Sequence, residues 1–303
     1  SNEGFDYGKL ENAQKLIQGN GYTINTQLGY ISLNQRLQND EVLAVAYQYT
    51  VGGQVFQVGE FANDGLNATD VNTDLSTGNE IVNNQSLVLK MLKSAVTSVE
   101  QPIWDLMMKN IYNTGAYQLS VEDFKLNIFY NETSSLNYIT PVSGTPFPNP
   151  LGNADPINDT PLIRLFNFDR LNYNNDPQNK GDGFFDFVPN ITVIPQNGKI
   201  IFTKVEPFGN YLFEKLRLEL SEDYLGDETI PGDYNSNQAK YVYKSMYKST
   251  KTAALQDSEK NKFKIRGSYK STSGSGIPIG AFNVPRGSVR VTAGGRVLVE
   301  GVD

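Results

Sequence analysis

Five prolines, Pro141, Pro146, Pro148, Pro150 and Pro156, fall among Gly and Asn within residues 140–160. Proline fixes its own φ and has no backbone N–H, so neither a continuous helix nor a central strand can run through that stretch. It is the expected internal boundary, with a β-rich part over 1–140, a connection over 141–160 and a second β-rich part over 161–303. A chain of 303 residues is long enough for one large domain or two of ordinary size.

On either side the dominant pattern is short runs of β-branched and aromatic residues closed by turn residues. Tyr30-Ile31-Ser32-Leu33 is one such run, and residues 41–50 (Glu-Val-Leu-Ala-Val-Ala-Tyr-Gln-Tyr-Thr) are another. Gly52-Gly53 separates the second run from the alternating residues 54–61, which predicts a β-hairpin. Residues 63–84 are rich in Asn, Asp and Thr and read as a polar loop. Residues 87–99 fit a helix or a buried strand equally well.

A helix is expected near 102–112, opened by Pro102 and stopped by Gly115. Residues 119–130 alternate again, with Phe124, Leu126, Ile128 and Tyr130 on one face of a strand. Two short strands near 191–194 and 200–202 are joined through Asn197-Gly198, a hairpin signal. Residues 236–259 are helix-compatible throughout and predict one long helix. Residues 263–269, 277–284 and a Gly294-Gly295 hairpin over 287–299 complete the set. The expected class is α+β, mainly β: antiparallel strands and hairpins with two or three accessory helices. No short-period repeat is present.

Composition excludes much chemistry. The chain contains no His and no Cys, which removes imidazole bases, thiol nucleophiles, thiolate metal sites and disulfides. With 26 basic and 33 acidic residues the net charge is −7 and no basic block stands out, which argues against nucleic-acid partners. Charged residues are only 19% of the chain; much of the polarity comes from amides, 32 Asn among them. No apolar run approaches the ~18–20 residues of a membrane-spanning helix, a test that transmembrane β-strands would escape.

The richest polar cluster is Asp169-Arg170-Leu171-Asn172-Tyr173-Asn174-Asn175-Asp176, continuing to Asp182-Gly183 and Asp186. Closely spaced oxygen ligands with glycine for tight turning are what Ca²⁺ requires, so Asp169, Asn172, Asn174, Asp176, Asp182 and Asp186 are the candidate metal ligands. Their spacing does not follow the EF-hand template, and the bland alternative is a loop whose Asx side chains bond their own backbone. No cofactor is expected apart from such a structural Ca²⁺. Glu206, Glu214 and Glu219, or Glu60 and Asp64, offer carboxylate pairs for glycoside hydrolysis, but any acidic chain offers such pairs. The glycines of residues 285–301 sit between strands and lack the phosphate-loop pattern. The chain is read as non-catalytic.

Several blocks taken in order resemble one family. They are Tyr30-Ile31-Ser32-Leu33-Asn34, Asp40-Glu41-Val42-Leu43-Ala44-Val45-Ala46-Tyr47 and Gln57-Val58-Gly59-Glu60-Phe61, then Trp104-Asp105-Leu106-Met107-Met108-Lys109-Asn110-Ile111-Tyr112. Asp169-Arg170-Leu171-Asn172, Asp182-Gly183-Phe184-Phe185-Asp186-Phe187 and Asn197-Gly198-Lys199-Ile200-Ile201-Phe202 follow, with Glu206-Pro207-Phe208-Gly209. The longest is Gly280-Ala281-Phe282-Asn283-Val284-Pro285-Arg286-Gly287-Ser288-Val289-Arg290-Val291-Thr292-Ala293-Gly294-Gly295, ending in Glu300-Gly301-Val302-Asp303. Together, from about residue 22 to the end, they resemble the SprA (Sov) family of Bacteroidetes.

That resemblance implies a very large outer-membrane parent protein that forms the translocon of the type 9 secretion system. In that family a giant β-barrel passes folded cargo to the cell surface and serves gliding motility. This chain would then be a soluble periplasmic or extracellular segment, or one that contributes strands, with other envelope proteins of the system and exported cargo as partners. Ser1-Asn2 resembles a cloning scar, and the last residues follow directly on a strand-like run, so an excised piece of a longer protein is expected. The rival reading is a surface adhesion module binding Ca²⁺ or glycans through residues 169–186.

Overall fold

A computed structural model describes residues 2–10, 13–61, 69–73, 80–84, 87–149, 156–158, 160–270, 289–293 and 296–298. The first strands are β1 (Tyr22–Asn25), β2 (Tyr30–Leu33), β3 (Leu43–Val45), β4 (Tyr47–Val51), β5 (Gln54–Val58), β6 (Thr69–Thr73), β7 (Glu80–Asn84) and β8 (Lys90–Lys93). After them come β9 (Ile111–Asn113), β10 (Lys125–Asn131), β11 (Ser135–Leu136), β12 (Val193–Ile194), β13 (Lys199–Ile201), β14 (Phe263–Ser268), β15 (Val291–Ala293) and β16 (Arg296–Leu298). Among the described residues five short α-helices are interspersed: α1 (Leu162–Leu165), α2 (Leu212–Lys215), α3 (Ser236–Tyr241), α4 (Ser245–Lys248) and α5 (Lys251–Gln256). The class is α+β, mainly β, built from small antiparallel sheets.

Two three-stranded sheets, β11-β10-β14 and β12-β13-β9, carry the core; the other pairings are two-stranded: β1–β2, β3–β8, β4–β5, β6–β7 and β15–β16. The alternation of residues 124–130 is realised in β10, where Leu126, Ile128 and Tyr130 are buried and the residues between them are not. The Gly52-Gly53 turn has φ of 57° and 83°, the left-handed pair that a two-residue hairpin requires. It sets Tyr47 opposite Val58 and Tyr49 opposite Phe56.

The core is built from aromatic rings. Phe202 is 1% exposed, with ring centroids of Phe168 at 4.6 Å, Phe208 at 5.2 Å, Tyr112 at 5.3 Å and Phe166 at 5.7 Å. Phe263 of β14 lies 4.8 Å from Phe208 and 5.1 Å from Tyr130, which draws the sheet of β10 and β14 onto the same cluster. The division expected at 141–160 is crossed by this core. It contains Leu126, Ile128, Tyr130 and Ile139 from before the proline stretch and Leu162 to Tyr247 from after it. Part of that stretch is fastened to α3: Asn237 accepts from the Val142 N–H at 2.7 Å and donates to the carbonyls of Thr145 and Pro146.

Four local expectations are corrected. Residues 63–84 contain the paired strands β6 and β7 rather than loop alone, because Thr69, Val71 and Thr73 pair opposite Asn84, Val82 and Glu80. Residues 102–112 form a 3₁₀ turn over Pro102–Leu106 and then β9, because Ile111 and Tyr112 find partners in Ile201 and Ile200. Of residues 119–130 only those from Lys125 onward are strand. The long helix of 236–259 is three short ones. The chain turns extended at Val242 and again at Ser249, and the break lets Tyr241, Val242 and Tyr243 all be buried, where a one-sided surface helix would bury only part of such a run.

Of residues 87–99, Lys90–Lys93 resolve as strand β8, paired with β3, and none as helix. Residues 277–284 lie outside the described residues, as do many residues of the longest family-like block.

If the ring cluster sets the fold, Phe202→Ala should cost about 3–5 kcal/mol in denaturant unfolding. Tyr173→Ala, at a position 95% exposed, should stay within about 0.5 kcal/mol of the parent.

Candidate functional site

Residues 169–186 form a closed knot held by two aromatic anchors. Phe168 and Phe185 pack in the core with centroids 5.0 Å apart, and each carries an adjacent aspartate inward. The Asp186 N–H donates to the Phe168 carbonyl at 2.7 Å and ties the two ends together.

Asp169 is fully buried. Its Oδ2 meets Arg164 Nη2 at 3.2 Å, and its Oδ1 accepts from the N–H groups of Asp182 and Gly183 at 2.8 and 3.1 Å. Gly181 has φ +61°, and a Cβ there would lie 2.0 Å from Asp169 Oδ1, so only glycine lets the backbone close over the carboxylate. Asp186 accepts from the Arg170 N–H at 2.7 Å, and the Leu171 N–H reaches both of its oxygens at 3.2 and 3.3 Å. Burial pushes the Asp186 carboxyl above the usual aspartate range. Its backbone hydrogen bonds oppose that shift, and the nearby Asp169 and Asp182 carboxylates add to it.

The outer half of the loop is Asx-turn chemistry. Asn172 Oδ1 accepts from the N–H groups of Asn174 and Asp176 at 2.9 and 3.0 Å, and Asp182 Oδ1 accepts from Phe184 at 3.0 Å. Of the six candidate calcium ligands, Asp169, Asp182 and Asp186 come together at the base of the knot. Asn172, Asn174 and Asp176 make the outer turn, where Asn174 and Asp176 are exposed. Oxygens of Asp169, Asn172, Asp182 and Asp186 point at N–H donors, an arrangement suited to holding a loop shut. Among the described residues no three acidic side chains are grouped as a metal site. Sequence reasoning missed Arg164, whose pairing with Asp169 only the turn after α1 reveals.

Three of the carboxylates weighed for hydrolysis are engaged elsewhere, and Asp64 lies outside the described residues. Glu206 pairs with Lys248 at 3.3 Å, Glu214 with Arg217 at 2.9 Å, and Glu60 accepts from the Val88 N–H at 2.9 Å.

The second candidate is a surface. Among the described side chains before Asn110, Ser94 alone is buried, so the N-terminal hairpins contribute no fully buried side chain to the aromatic core. On β4–β5 one face carries Tyr47, Tyr49, Val51 and Phe56, all exposed, with Tyr49 stacked on Phe56 at 5.3 Å and 18° between planes. The other face carries Gln48, Thr50 and Gln57 beside one valine, Val55, with Gln48 Nε2 donating to Gln57 Oε1 at 3.0 Å. This is the amphipathic pattern of a strand pair with one side meant to be covered. Among the described residues no helix is long and apolar enough to cross a membrane.

Gly181→Ala should displace Asp169 and cost about 1–3 kcal/mol in thermal or denaturant unfolding, whereas Asp176→Ala on the exposed turn should be near neutral. Because the Asp186 pKa is raised on folding, the folded chain holds that proton more tightly. Its contribution to stability is present at low pH and falls as pH rises from the unfolded value through the folded one. A carboxyl-detected NMR titration should place its midpoint above 3.8.

A scan of the chain against protein-family models matches none, and a search of curated proteins finds no match.

Proposed function

We propose that this chain is a non-catalytic structural segment of a giant outer-membrane β-barrel protein that forms the type 9 secretion translocon. Its place is the cell envelope of a Gram-negative bacterium, and its partners are other envelope proteins of that system and the folded cargo they export to the surface. The observation that carries this reading is the uncovered aromatic face of β4–β5 within an N-terminal part that buries no apolar side chain among those described. A two-stranded hairpin is marginal alone and exposed aromatic patches mark contact surfaces, so such a face calls for cover from a larger assembly. The ordered sequence blocks supply the identity of that assembly, and the 169–186 knot serves as a structural closure.

Serine at both Tyr49 and Phe56 in the chromosomal copy should lower surface display of exported cargo and colony spreading several-fold. The melt of the purified chain should barely move, since neither ring belongs to the core. Undiminished export and spreading would contradict the reading. EGTA followed by added Ca²⁺ should leave the melting temperature unchanged. A shift of several degrees abolished by Asp182→Ala would instead favour the adhesion module, because ligand binding to the folded state alone raises stability.

A further inference from the structure

The two three-stranded sheets end on edges that face a common cleft. In the first sheet the Asn131 N–H donates to the Lys262 carbonyl at 2.9 Å, which fixes the phase of the β10–β14 ladder. Antiparallel pairs alternate, so the backbone groups of Phe263, Ile265 and Gly267 point away from β10. Among the described residues nothing pairs with that side of β14. In the second sheet Phe202 donates to the Asn110 carbonyl at 2.9 Å and Thr114 donates to the Gly198 carbonyl at 3.0 Å. The same alternation leaves the backbone groups of Ile111 and Asn113 turned outward from β9.

Between these edges lies a cleft of about 280 Å³, with Tyr112 and Asn113 on one wall and Phe263 to Ile265 on the other. Phe208, Tyr243 and Met246 line its interior. The opposite face of the β10–β14 pair carries Lys125, Lys264 and Arg266 side by side, by the register that sets Asn127 against Arg266 and Phe129 against Lys264. Among the described residues none of the three meets a carboxylate; Arg266 lies over the Phe129 ring at 5.6 Å. In a chain of net charge −7, a cationic strand at an edge that no described residue pairs or neutralises is an uncommon local arrangement.

We infer that the β14 edge is an acceptor for an extended segment of another protein, added as a further strand, in which apolar and acidic side chains alternate. The segment's backbone pairs with Phe263, Ile265 and Gly267. Its apolar side chains fall on the side of Phe208, Tyr243 and Met246, and its acidic side chains fall beside Lys264 and Arg266. An open edge is a liability that proteins blunt with charge, and lysine and arginine here repel basic strands and favour acidic ones. The inference stands on the strand edges alone and does not depend on the translocon reading.

The test uses a short fluorescein-labelled peptide alternating Glu and Val, followed by anisotropy with the full chain. Binding should be saturable, weakened at least about tenfold by Lys264→Glu with Arg266→Glu, and weakened by salt. A Lys–Val peptide should not bind, and N-methylation of alternate amides in the Glu–Val peptide should abolish binding by removing the ladder donors. If the double variant fails to fold, the N-methylated peptide decides the matter with the unaltered protein. The inference is overturned by absence of saturable binding, by equal binding of the Lys–Val peptide, or by equal binding of the N-methylated one. A dimer in sedimentation that dissociates on Lys264→Glu would assign the edge to a second copy and overturn it as well.

Discussion

Phe166 and Phe168, Phe202 and Phe208, and Phe263 come from three separate stretches of the chain, and each packs edge-on or tilted against at least one other. Bringing them together places α1, the segment after β13, the turn before α2, and β14 around one point. Aromatic pairs in this geometry add roughly 0.5–1.5 kcal/mol each beyond the area they bury. The remaining architecture accommodates that cluster. The two three-stranded sheets flank it, the segment 236–256 breaks into three helices to bury tyrosines on several sides, and the proline-rich stretch is pinned to α3 on its outside.

Amides do the fastening that charges do in other proteins. Glu222 is buried, and its carboxylate accepts from Gln238 Nε2 at 2.8 Å, Asn235 Nδ2 at 3.0 Å and the Leu218 N–H at 3.1 Å. Asn235 also caps α3, and Gln238 returns the bond in a capping box. Asn110 donates to the Phe202 carbonyl at 2.6 Å beside the ring cluster. A buried carboxylate left without donors would be costly, and side-chain amides supply them without introducing a second charge that also needs solvation. The Asn-rich composition is thus partly structural, whereas in the 169–186 knot backbone N–H groups and Arg164 satisfy the buried Asp169 and Asp186 instead.

Local signals in the sequence were legible where the structure depends on neighbours. Gly52-Gly53, Asn197-Gly198 and the alternation of Leu126, Ile128 and Tyr130 each specify their own turn or strand face, and each is found in place. Long-range partners were not legible. Nothing near Ile111 announces Ile201, and helix-compatible residues 236–259 yield to the burial of Tyr241, Val242 and Tyr243 together. The polar composition of 169–186 pointed to a loop rich in oxygen ligands, yet which oxygens face N–H donors follows from the anchoring of Phe168 and Phe185. The strand at residues 263–269 was legible, and its alternation Lys262-Phe263-Lys264-Ile265-Arg266 also gives it one apolar and one cationic face.

The account divides the molecule into a ring-cored part and N-terminal hairpins that await cover, and native-state hydrogen exchange measures that division directly. Amides of β10, β13 and β14 that face their partners should exchange only with global unfolding, whereas those of β1–β2 and β4–β5 should exchange through local opening at much lower free energy. Equal protection of the hairpins and the core sheets in the isolated chain would contradict it, because the hairpins would then be held by the chain itself and need nothing further to cover them.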